Sequence, residues 1–572
     1  MVETEKFDVV IIGGGVSGLT SGALFSRFGL KVCIIEMDAR PGGYIAGFRR
    51  KDFRFDSAIH WLNQCGDHGL ITQAFEAIGS DYPKAGEQRN IRRFLGPDMD
   101  FMVTNTPDEL KAHWIEKYPE DRKGIEKFFR HAKQLCKSFD KHYKISRTPD
   151  SMNLLEKVKR IYHLTKFGLP FIKHIRHSGD KGMQKGLRKY FTNPELLNVF
   201  AAEPDILSCL IPISWAYSKD YQTPPPGGSQ SFAEWLQHVI ESYGNEVRFQ
   251  SRVSEIILEN NLATGVKYHH KGSDYQVNGD YVIAACDVEA LYERMLPKGI
   301  ASEKMLSKLK GAELYASAVT LSIGLDCTSE SLGFGEEIIY LADPNQEREA
   351  LGSGDPQTSG MHILAPSVRD KTLAPDGKGT LTVFIPGFID QFDQWKTTLD
   401  ENGQYIRTDE YKALKEDIAD QLLVRIEKSM NIELKKHIEY LDIATPVTHH
   451  RYTGNRDGTM MGARPGKENM QAKIAHYQTP INNLLLSGHW AELGGGVPVA
   501  VRASVNTTLI TLRKMKHPVF KSFAKYIDGN MKPEDFNQAP GVEQYPNDWK
   551  PKPTPATKKK LRAQSNDEAI TS

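Results

Sequence analysis

The hydrophobic pattern is clearest at the amino terminus, where the apolar run Val9–Ile12 is uninterrupted. A continuous β-branched run of this kind predicts a strand buried on both faces of a parallel sheet. Three glycines follow at 13–15, and Leu19–Phe28 then has the periodicity of a helix. The next apolar run, 31–36, ends in an acidic residue. The pattern therefore predicts a strand–helix–strand unit at the start of the chain.

The same order recurs near the other end of the chain. Leu484–Leu486 is a short apolar run, 494–496 are three consecutive glycines, and Val497–Met515 has apolar residues at helical spacing. Between the two ends, residues 224–268 have the pattern of a Gly-Gly turn, a helix and strands, and residues 281–287 predict another buried strand. Each of these segments has the strand and turn pattern of an α/β protein.

The first glycine cluster matches the GxGxxG fingerprint of dinucleotide-binding folds. In such a fold Gly13 permits the tight turn, Gly15 lets the backbone approach a pyrophosphate, and Gly18 lets the helix pack closely on the strand. Phosphates would face the N–H groups at the helix N-terminus, and Glu36 would accept hydrogen bonds from an adenosine ribose. A purely structural glycine turn is the alternative, but the order of strand, glycines, helix, strand and acid favours dinucleotide binding.

Composition narrows the class of protein. The 572 residues are 40% hydrophobic and 25% charged, which is typical of a soluble globular protein with two domains. A net charge of +1 gives no general attraction to nucleic acid. The six cysteines are scattered without metal-ligand spacing, so we expect reduced thiols and no metal site. No apolar stretch is long enough to span a bilayer, and a cytoplasmic location is expected.

The stretch after the second predicted strand, EMDARPGG at 36–43, extends the fingerprint. It resembles the ExxxRxGG segment of the FAD-binding glutathione-reductase and amine-oxidase superfamily. That resemblance implies that Arg40, Gly42 and Gly43 run along the pyrophosphate and ribityl chain, and it favours FAD over NAD. It also implies that the late glycine cluster returns a helix N-terminus to the flavin, where the helix dipole stabilises negative charge on the reduced ring.

Further motifs narrow the resemblance to the family of phytoene desaturases, carotenoid isomerases and retinol saturases. They are the Gly227-Gly228 turn ahead of Phe232–Leu236, the ATGV strand, the segments Phe55–Trp61 and Thr445–Gly462, and the late SGHW…GGGVP stretch. The chain departs from the family pattern at Ala58, at His489 and at 502–504. These stand where relatives usually have glycine, aspartate and Ser-Gly.

The family resemblance implies an FAD-dependent oxidoreductase that acts on carbon–carbon double bonds of a hydrophobic polyene, as a saturase or an isomerase. A phytoene-type desaturase, or an amine or porphyrinogen oxidase on the same fold, is the alternative. A non-enzymatic alternative is a prenyl-lipid carrier of the GDP-dissociation-inhibitor type, although the intact FAD motif disfavours it. No second GxGxxG followed by an acid is present, so a separate electron donor or acceptor is expected.

The implied fold is α/β, with a discontinuous Rossmann-type FAD-binding domain and an inserted α+β substrate domain. The FAD domain would comprise 1–69, 222–292 and 442–516, and the substrate domain 70–221 and 293–441. Within the latter, SAVTLSIGL and GTLTVFIPG predict strands of a sheet wall. The Pro-, Lys- and Ser-rich residues 541–572 predict a disordered tail.

The resemblance also implies which residues contact the cofactor. They are Gly13, Gly15, Val16, Ser17, Gly18, Glu36, Arg40, Gly42, Gly43, Val253, Gly488, Gly495, Gly496 and Val497. His60 is the first candidate for a proton donor, since a histidine changes charge near neutrality; a hydrogen-bonded core histidine is the alternative. His489 and Glu492, beside the late glycines, are weaker candidates for which cofactor positioning is the alternative.

Residues 153–190 interleave ten Lys and Arg with Leu, Ile and Phe, and between Lys157 and Lys189 the only acid is Asp180. Basic and apolar residues at helical spacing suit docking in an anionic membrane interface, where polyenes reside. The alternative is the solvated face of a lid over the substrate. The sequence therefore predicts a protein that is cytoplasmic or peripheral at a membrane.

Overall fold

The computed structural model describes residues 5–67, 69–97, 99–139, 142–175, 177, 179–200, 203, 205–400 and 403–536. The tail expected at 541–572 lies outside these residues. The described strands are β1 (Lys6–Ile12), β2 (Val32–Ile35), β3 (Gly47–Arg50), β4 (Phe53–Asp56), β5 (Gly86–Glu87), β6 (Asn90–Gly96), β7 (Met99–Thr104), β8 (Gln222–Thr223), β9 (Glu246–Arg248), β10 (Ser251–Glu259), β11 (Leu262–His270), β12 (Ser273–Ala284), β13 (Ser317–Leu325), β14 (Ile338–Leu341), β15 (Met361–Leu364), β16 (Gly379–Gly387), β17 (Thr398–Leu399), β18 (Tyr405–Ile406), β19 (Ile438–Ala444) and β20 (Leu484–Leu486).

The helices surround two large sheets. In chain order they are α1 (Val16–Arg27), α2 (Leu70–Ile78), α3 (Pro107–Lys117), α4 (Arg122–Phe139), α5 (Leu154–Ile175), α6 (Gly179–Leu187), α7 (Pro194–Asn198), α8 (Ile206–Tyr217), α9 (Gln230–Ser242), α10 (Val288–Ala290), α11 (Glu303–Lys310), α12 (Arg348–Leu351), α13 (Pro366–Arg369), α14 (Gln391–Trp395), α15 (Asp409–Met430), α16 (Pro446–Thr453), α17 (Lys467–Ala472), α18 (Val497–Lys514), α19 (Phe520–Ile527) and α20 (Pro533–Phe536).

The first sheet has the strand order β10-β11-β12-β1-β2-β9, and β20 pairs with β12. β1 runs parallel to β2 and to β12, with Val10 opposite Cys33 on one side and Val282 on the other. β20 is also parallel to β12, with Leu485 opposite Ile283. The strands that precede the two glycine clusters are thus separated by β12 alone, and their carboxyl ends lie at the same edge of the sheet. That edge is where open α/β sheets bind ligands.

Apolar runs explain this core. All four residues of β2 and the three leucines of β20 are buried, as expected for strands covered by helices on both faces. α1 and α18 pack against the sheet, and their apolar residues belong to the same hydrophobic core. α2, expected to open the substrate domain at residue 70, contributes Ile71 and Phe75 to this core as well.

The second sheet has the order β19-β13-β16-β15-β14-β6-β7. β13, the SAVTLSIGL strand, is buried at every position and pairs antiparallel with β16, the GTLTVFIPG strand, with Leu321 opposite Val383. β19 extends this sheet as far as Ala444, three residues beyond the expected boundary at 441. A third core, built around Trp114 and the phenylalanines of α4, joins α3–α8 into a helical layer.

The basic stretch 153–190 divides into two parts with different surroundings. In the second part Met183, Leu187 and Tyr190 are buried in the helical layer. In the first part, α5, many large apolar side chains are exposed. Across the described helices, none combines the length and the apolar content that a bilayer span requires.

Candidate active site and dinucleotide cavity

The first glycine cluster forms a turn that requires glycine at two positions. Gly13 has φ +105°, and a Cβ there would lie 2.5 Å from the Ala285 carbonyl oxygen. A Cβ at Gly18 would lie 1.9 Å from the Gly13 carbonyl oxygen, so α1 can approach β1 only without a side chain there. A Cβ at Gly15, in contrast, would meet no atom within 4 Å. Gly15 is the N-cap of α1, so the open space lies at a helix N-terminus.

Glu36 and the following loop are tied to this turn. The Glu36 carboxylate accepts hydrogen bonds from the N–H groups of Gly14 (2.5 Å) and Asp38 (2.6 Å), and burial raises its pKa. Gly42 has φ +123° and donates its N–H to the Gly14 carbonyl oxygen at 2.7 Å. Arg40 turns away, since its Nη1 donates to the Gly47 carbonyl oxygen at 2.5 Å.

The late glycine cluster meets the first one through three buried serines. Ser17 Oγ lies 2.7 Å from Ser487 Oγ, and Ser504 Oγ donates to Ser17 Oγ at 2.9 Å. A Cβ at Gly495 would lie 1.9 Å from Met461 Cβ, and Gly496, the N-cap of α18, has φ +87°. The N-termini of α1 and α18 therefore converge on one place, which explains why the chain contains two such clusters.

Between these elements lies a cavity of about 1340 Å³. Ligand pockets are typically about 300–1,000 Å³, so this one has room for more than a dinucleotide. Of the residues expected to contact the cofactor, all line the cavity except Gly18 and Arg40. The geometry explains both exceptions, because Gly18 faces β1 and Arg40 faces Gly47.

The far end of the cavity is aromatic. The ring of His60 stacks on Phe384 with a centroid distance of 4.2 Å, and Phe384 stacks on His362 at 4.6 Å. Trp61 and Trp215, 6.0 Å apart, complete this part of the wall. Sequence reasoning missed His362 and Trp215, because a lone histidine in a strand and a lone tryptophan in a helix carry no spacing signal.

The electrostatics of the histidines differ from the expectation of a charge change near neutrality. Burial, with a smaller effect of the nearby Arg369, lowers the pKa of His60 to about 3. Burial also lowers the pKa of His489 to about 4 and that of His362 well below its usual range. The three imidazoles on the cavity wall are therefore neutral at pH 7. His489 Nε2 is a buried atom without a hydrogen-bond partner among the described residues.

Glu492, the third candidate catalytic residue, is outside the cavity wall. Its carboxylate accepts hydrogen bonds from Tyr477 Oη and Arg502, and from Asn506 Nδ2 at 3.1 Å. The Glu492 side chain is 12% exposed. The structure thus gives Glu492 a fixed set of partners between α18 and the preceding loop and does not bring it to the reacting end.

Both carboxylates of the cavity wall lie at the end of the first sheet. Glu36 and Asp287 are the carboxylates among its described lining residues, and both follow strands of the first sheet. Burial raises the pKa of Asp287 to about 6, and its side chain accepts from the Ala290 N–H at 2.8 Å. Arg252 and Arg294 line the same end. The aromatic end, around Phe384, contains no described carboxylate, so the cavity combines a polar end with an apolar one.

Comparison with known proteins supports a dinucleotide-binding domain at the start of the chain. Residues 11–78 match the family model of an NAD(P)-binding Rossmann-like domain. The chain is 26% identical to an all-trans-retinol 13,14-reductase of Danio rerio, over 92% of this chain and 90% of the relative. It is 26% identical to a chloroplastic prolycopene isomerase of Daucus carota, over 86% and 78% of the two chains. It is 24% identical to a 4,4'-diapophytoene desaturase of a Methylomonas species, over 90% and 97%.

Solved structures agree on the fold. Putrescine oxidase bound to putrescine has a TM-score of 0.54 at 13% identity and covers 88% of this chain and 98% of its own. An oxidoreductase from Methanosarcina mazei has a TM-score of 0.54 at 16% identity and covers 90% and 100%. The expected α/β fold is thus confirmed, with a site for a dinucleotide or flavin cofactor. The chain is a homologue of the retinol 13,14-reductases, prolycopene isomerases and diapophytoene desaturases, which confirms the family resemblance, and it is an oxidoreductase-type enzyme.

Proposed function

We propose that this enzyme binds FAD and acts on carbon–carbon double bonds of a hydrophobic polyene, as a saturase or an isomerase. The observation that carries the proposal is a single cavity that joins two helix N-termini to a stack of aromatic rings. The retinol reductase and prolycopene isomerase names of the relatives support the same class of substrate. A phytoene-type desaturase remains the alternative on the same geometry.

The residues at the polar end fit FAD. The space beside Gly15 would admit a pyrophosphate against the N-terminus of α1, and the buried Glu36 carboxylate lies where a ribose would bind. Val253 and Gly488 line the same cavity. His489 lines this cavity as well. When bound, the flavin would accept or donate two electrons together as a hydride.

The apolar end fits a polyene better than an amine. A buried protonated amine needs a carboxylate beside it, whereas here the lining carboxylates are both at the polar end. Trp61, Trp215 and Phe384 offer flat apolar surface instead. A conjugated chain without charge loses little on leaving water for such a wall and gains hydrophobic free energy.

The proposed role of His60 is to orient the substrate at the aromatic end of the cavity. Arg369 Nη1 donates to the His60 carbonyl oxygen at 2.8 Å, which fixes the backbone, and Phe384 fixes the ring plane. As a neutral imidazole, His60 has one N–H to donate at a ring nitrogen. A neutral imidazole that gave up this N–H proton would be left as an imidazolate, so a saturase would take its proton from solvent and its electrons from a separate donor, whereas an isomerase requires no net proton or electron.

The first test is an anaerobic absorption spectrum of photoreduced protein, before and after the addition of retinol or lycopene. Return of the flavin band while the polyene loses conjugation would support a saturase. A shift of the polyene band over a flavin that stays reduced would support an isomerase. If neither band changes, the saturase and isomerase proposal fails. A colourless purified protein would contradict FAD binding and favour the prenyl-lipid carrier.

We also propose that the enzyme works in the cytoplasm with a separate electron partner. No disulfide joins cysteines in the part of the chain that the structure describes, and burial raises the pKa of Cys33 and Cys286, so these two thiols are unreactive. Fractionation of cells that express the tagged chain tests the location. Recovery in a secretory compartment would contradict it.

A further inference from the structure

Helix α5 (Leu154–Ile175) exposes an apolar stripe to solvent. Eighteen large hydrophobic side chains are exposed among the described residues, and nine of them belong to this one helix. They are Leu154, Leu155, Val158, Ile161, Tyr162, Leu164, Leu169, Ile172 and Ile175, and the two most exposed are Leu155 (82%) and Leu154 (77%). Soluble monomers rarely expose an apolar patch of this kind unless it binds something.

The stripe faces away from the protein. With 3.6 residues per turn, Leu154, Val158, Ile161 and Ile172 lie on one side of the helix. The opposite side contacts the helical layer, where Phe171 and its neighbours are buried. α5 is therefore apolar on both sides, and its 22 residues span about 33 Å. Packing against the helical layer explains the apolar residues on the inner side only.

Cations flank the stripe. Lys157, Lys159, Lys166 and Lys173 are exposed along the helix. The one acidic residue of α5, Glu156, is bound by Arg147, with Arg147 Nη2 3.1 Å from Glu156 Oε2. The outer surface of α5 is thus apolar along its middle and positive along its edges. This is the pattern of a helix that lies in the plane of an anionic membrane interface, with the lysine stems extended towards the headgroups.

The base of the helix is fixed to the body of the enzyme. The Arg147 side chain is 1% exposed and also pairs with Asp528. Arg160 Nε donates to the Arg147 carbonyl oxygen at 2.9 Å, and the Thr148 N–H donates to Asn506 Oδ1 at 2.8 Å. Because these contacts hold the N-terminal end of α5, the helix can bind a membrane surface and stay packed against the rest of the protein.

The inner side of α5 leads towards the cavity. The ring of Phe167 lies 6.0 Å from Phe139, which lies 6.1 Å from Trp215. Trp215 in turn lines the aromatic end of the cavity, 6.0 Å from Trp61. Between the solvent-facing stripe and the apolar end of the site there is thus one continuous layer of aromatic side chains.

We propose that the outer surface of α5 docks the enzyme onto an anionic lipid bilayer. A protein partner or a second copy is the other occupant to consider, but protein interfaces are depleted of lysine, whereas the stripe is edged by four. The docking site goes beyond the proposed function and is tested by binding alone. A second role of the bilayer, the delivery of a polyene substrate, rests on the proposed function.

The test is flotation of the full chain with vesicles of phosphatidylcholine alone and of phosphatidylcholine mixed with phosphatidylserine. The stripe variant carries Leu155→Ser, Val158→Ser and Ile161→Ser. The matched control carries Leu399→Ser, Ile406→Ser and Val424→Ser, three exposed apolar residues away from α5. We expect the wild type and the control to float with the anionic vesicles, and the stripe variant to bind at least about tenfold more weakly.

Two results would overturn the proposal. One is a stripe variant that binds the anionic vesicles as well as the control does. The other is a wild type that does not bind the vesicles but sediments as a dimer, together with a stripe variant that sediments as a monomer. That result would assign the outer surface of α5 to contact with a second copy.

Replacement of Lys157 and Lys166 by Gln should weaken vesicle binding more at low salt than at high salt. Flavin content and turnover of detergent-solubilised polyene should not change, because α5 does not line the cavity.

Discussion

His60→Phe tests whether the imidazole at the aromatic end of the cavity is uncharged in the folded protein. The phenyl ring can keep the stacking on Phe384, whose centroid is 4.2 Å from that of His60, but it cannot take up a proton. In the folded protein burial lowers the pKa of His60 from 6.5 to about 3. A histidine whose folded pKa is lowered contributes stability above pH 6.5 that is lost as the pH falls.

The magnitude follows from the two pKa values. At pH 5 an unfolded histidine is almost fully protonated, while the folded His60 stays neutral. The difference favours unfolding by about 2 kcal/mol, since each pH unit below 6.5 adds about 1.4 kcal/mol. The wild type should therefore lose about 2 kcal/mol more than His60→Phe between pH 8 and pH 5. For 572 residues that unfold together, this corresponds to about 2 °C in the thermal midpoint.

The assay is thermal unfolding of both proteins at pH 8 and pH 5, with His113→Gln on the exposed side of α3 as the control. Taking the difference between pH values cancels the packing change that the substitution itself introduces. If His60→Phe loses as much stability in acid as the wild type, His60 is protonated in the fold and the electrostatic reasoning is wrong. In the same variant, bound flavin should be retained and turnover should fall, because phenyl has no N–H with which to orient the substrate.

Three further substitutions separate cofactor binding, structure and substrate fit. Gly15→Ala adds a Cβ to open space, so the melting of the apoprotein should not change while flavin affinity falls at least about tenfold, measured by titration. Glu492→Gln removes the carboxylate that pairs with the half-buried Arg502 and should cost about 2 kcal/mol of stability, but flavin-normalised turnover should persist; a loss of turnover without a loss of stability would show that Glu492 takes part in the reaction. Trp215→Ala should lower KM for bulkier polyenes relative to retinol, and an unchanged ratio would place the substrate elsewhere.

The elements with strong local signals were predictable. β13 and β16 have the bounds of the SAVTLSIGL and GTLTVFIPG runs, and α18 ends one residue before the predicted Met515. The glycine turns were predictable as well, since backbone such as that of Gly13, with φ +105°, is strained for other residues. In each case the physical requirement lies within a few residues of sequence, so the pattern alone carries it.

Features that depend on tertiary contact were not predictable. The stacked rings belong to different strands and loops, namely to His60, His362 and Phe384, and they come together only when the second sheet forms. The direction of Arg40 depends on the carbonyl of Gly47, and the partners of Glu492 come from two segments, the loop at Tyr477 and helix α18. The neutral state of His60 likewise follows from burial, which no residue type reveals.

Helix α18 links the parts of the molecule that sequence reasoning treated separately. Its N-terminus lines the cavity, Ser504 bonds to Ser17 of α1, and Asn506 holds the segment before α5 through Thr148. A ligand at the cavity and a surface under α5 would both favour the arrangement in which these hydrogen bonds are made. Binding at the two places should then be coupled, each raising the affinity of the other by the same factor. Flavin should therefore dissociate more slowly from the enzyme bound to anionic vesicles than from the enzyme in solution. Equal dissociation rates would show that α18 does not couple the cavity to the outer surface of α5.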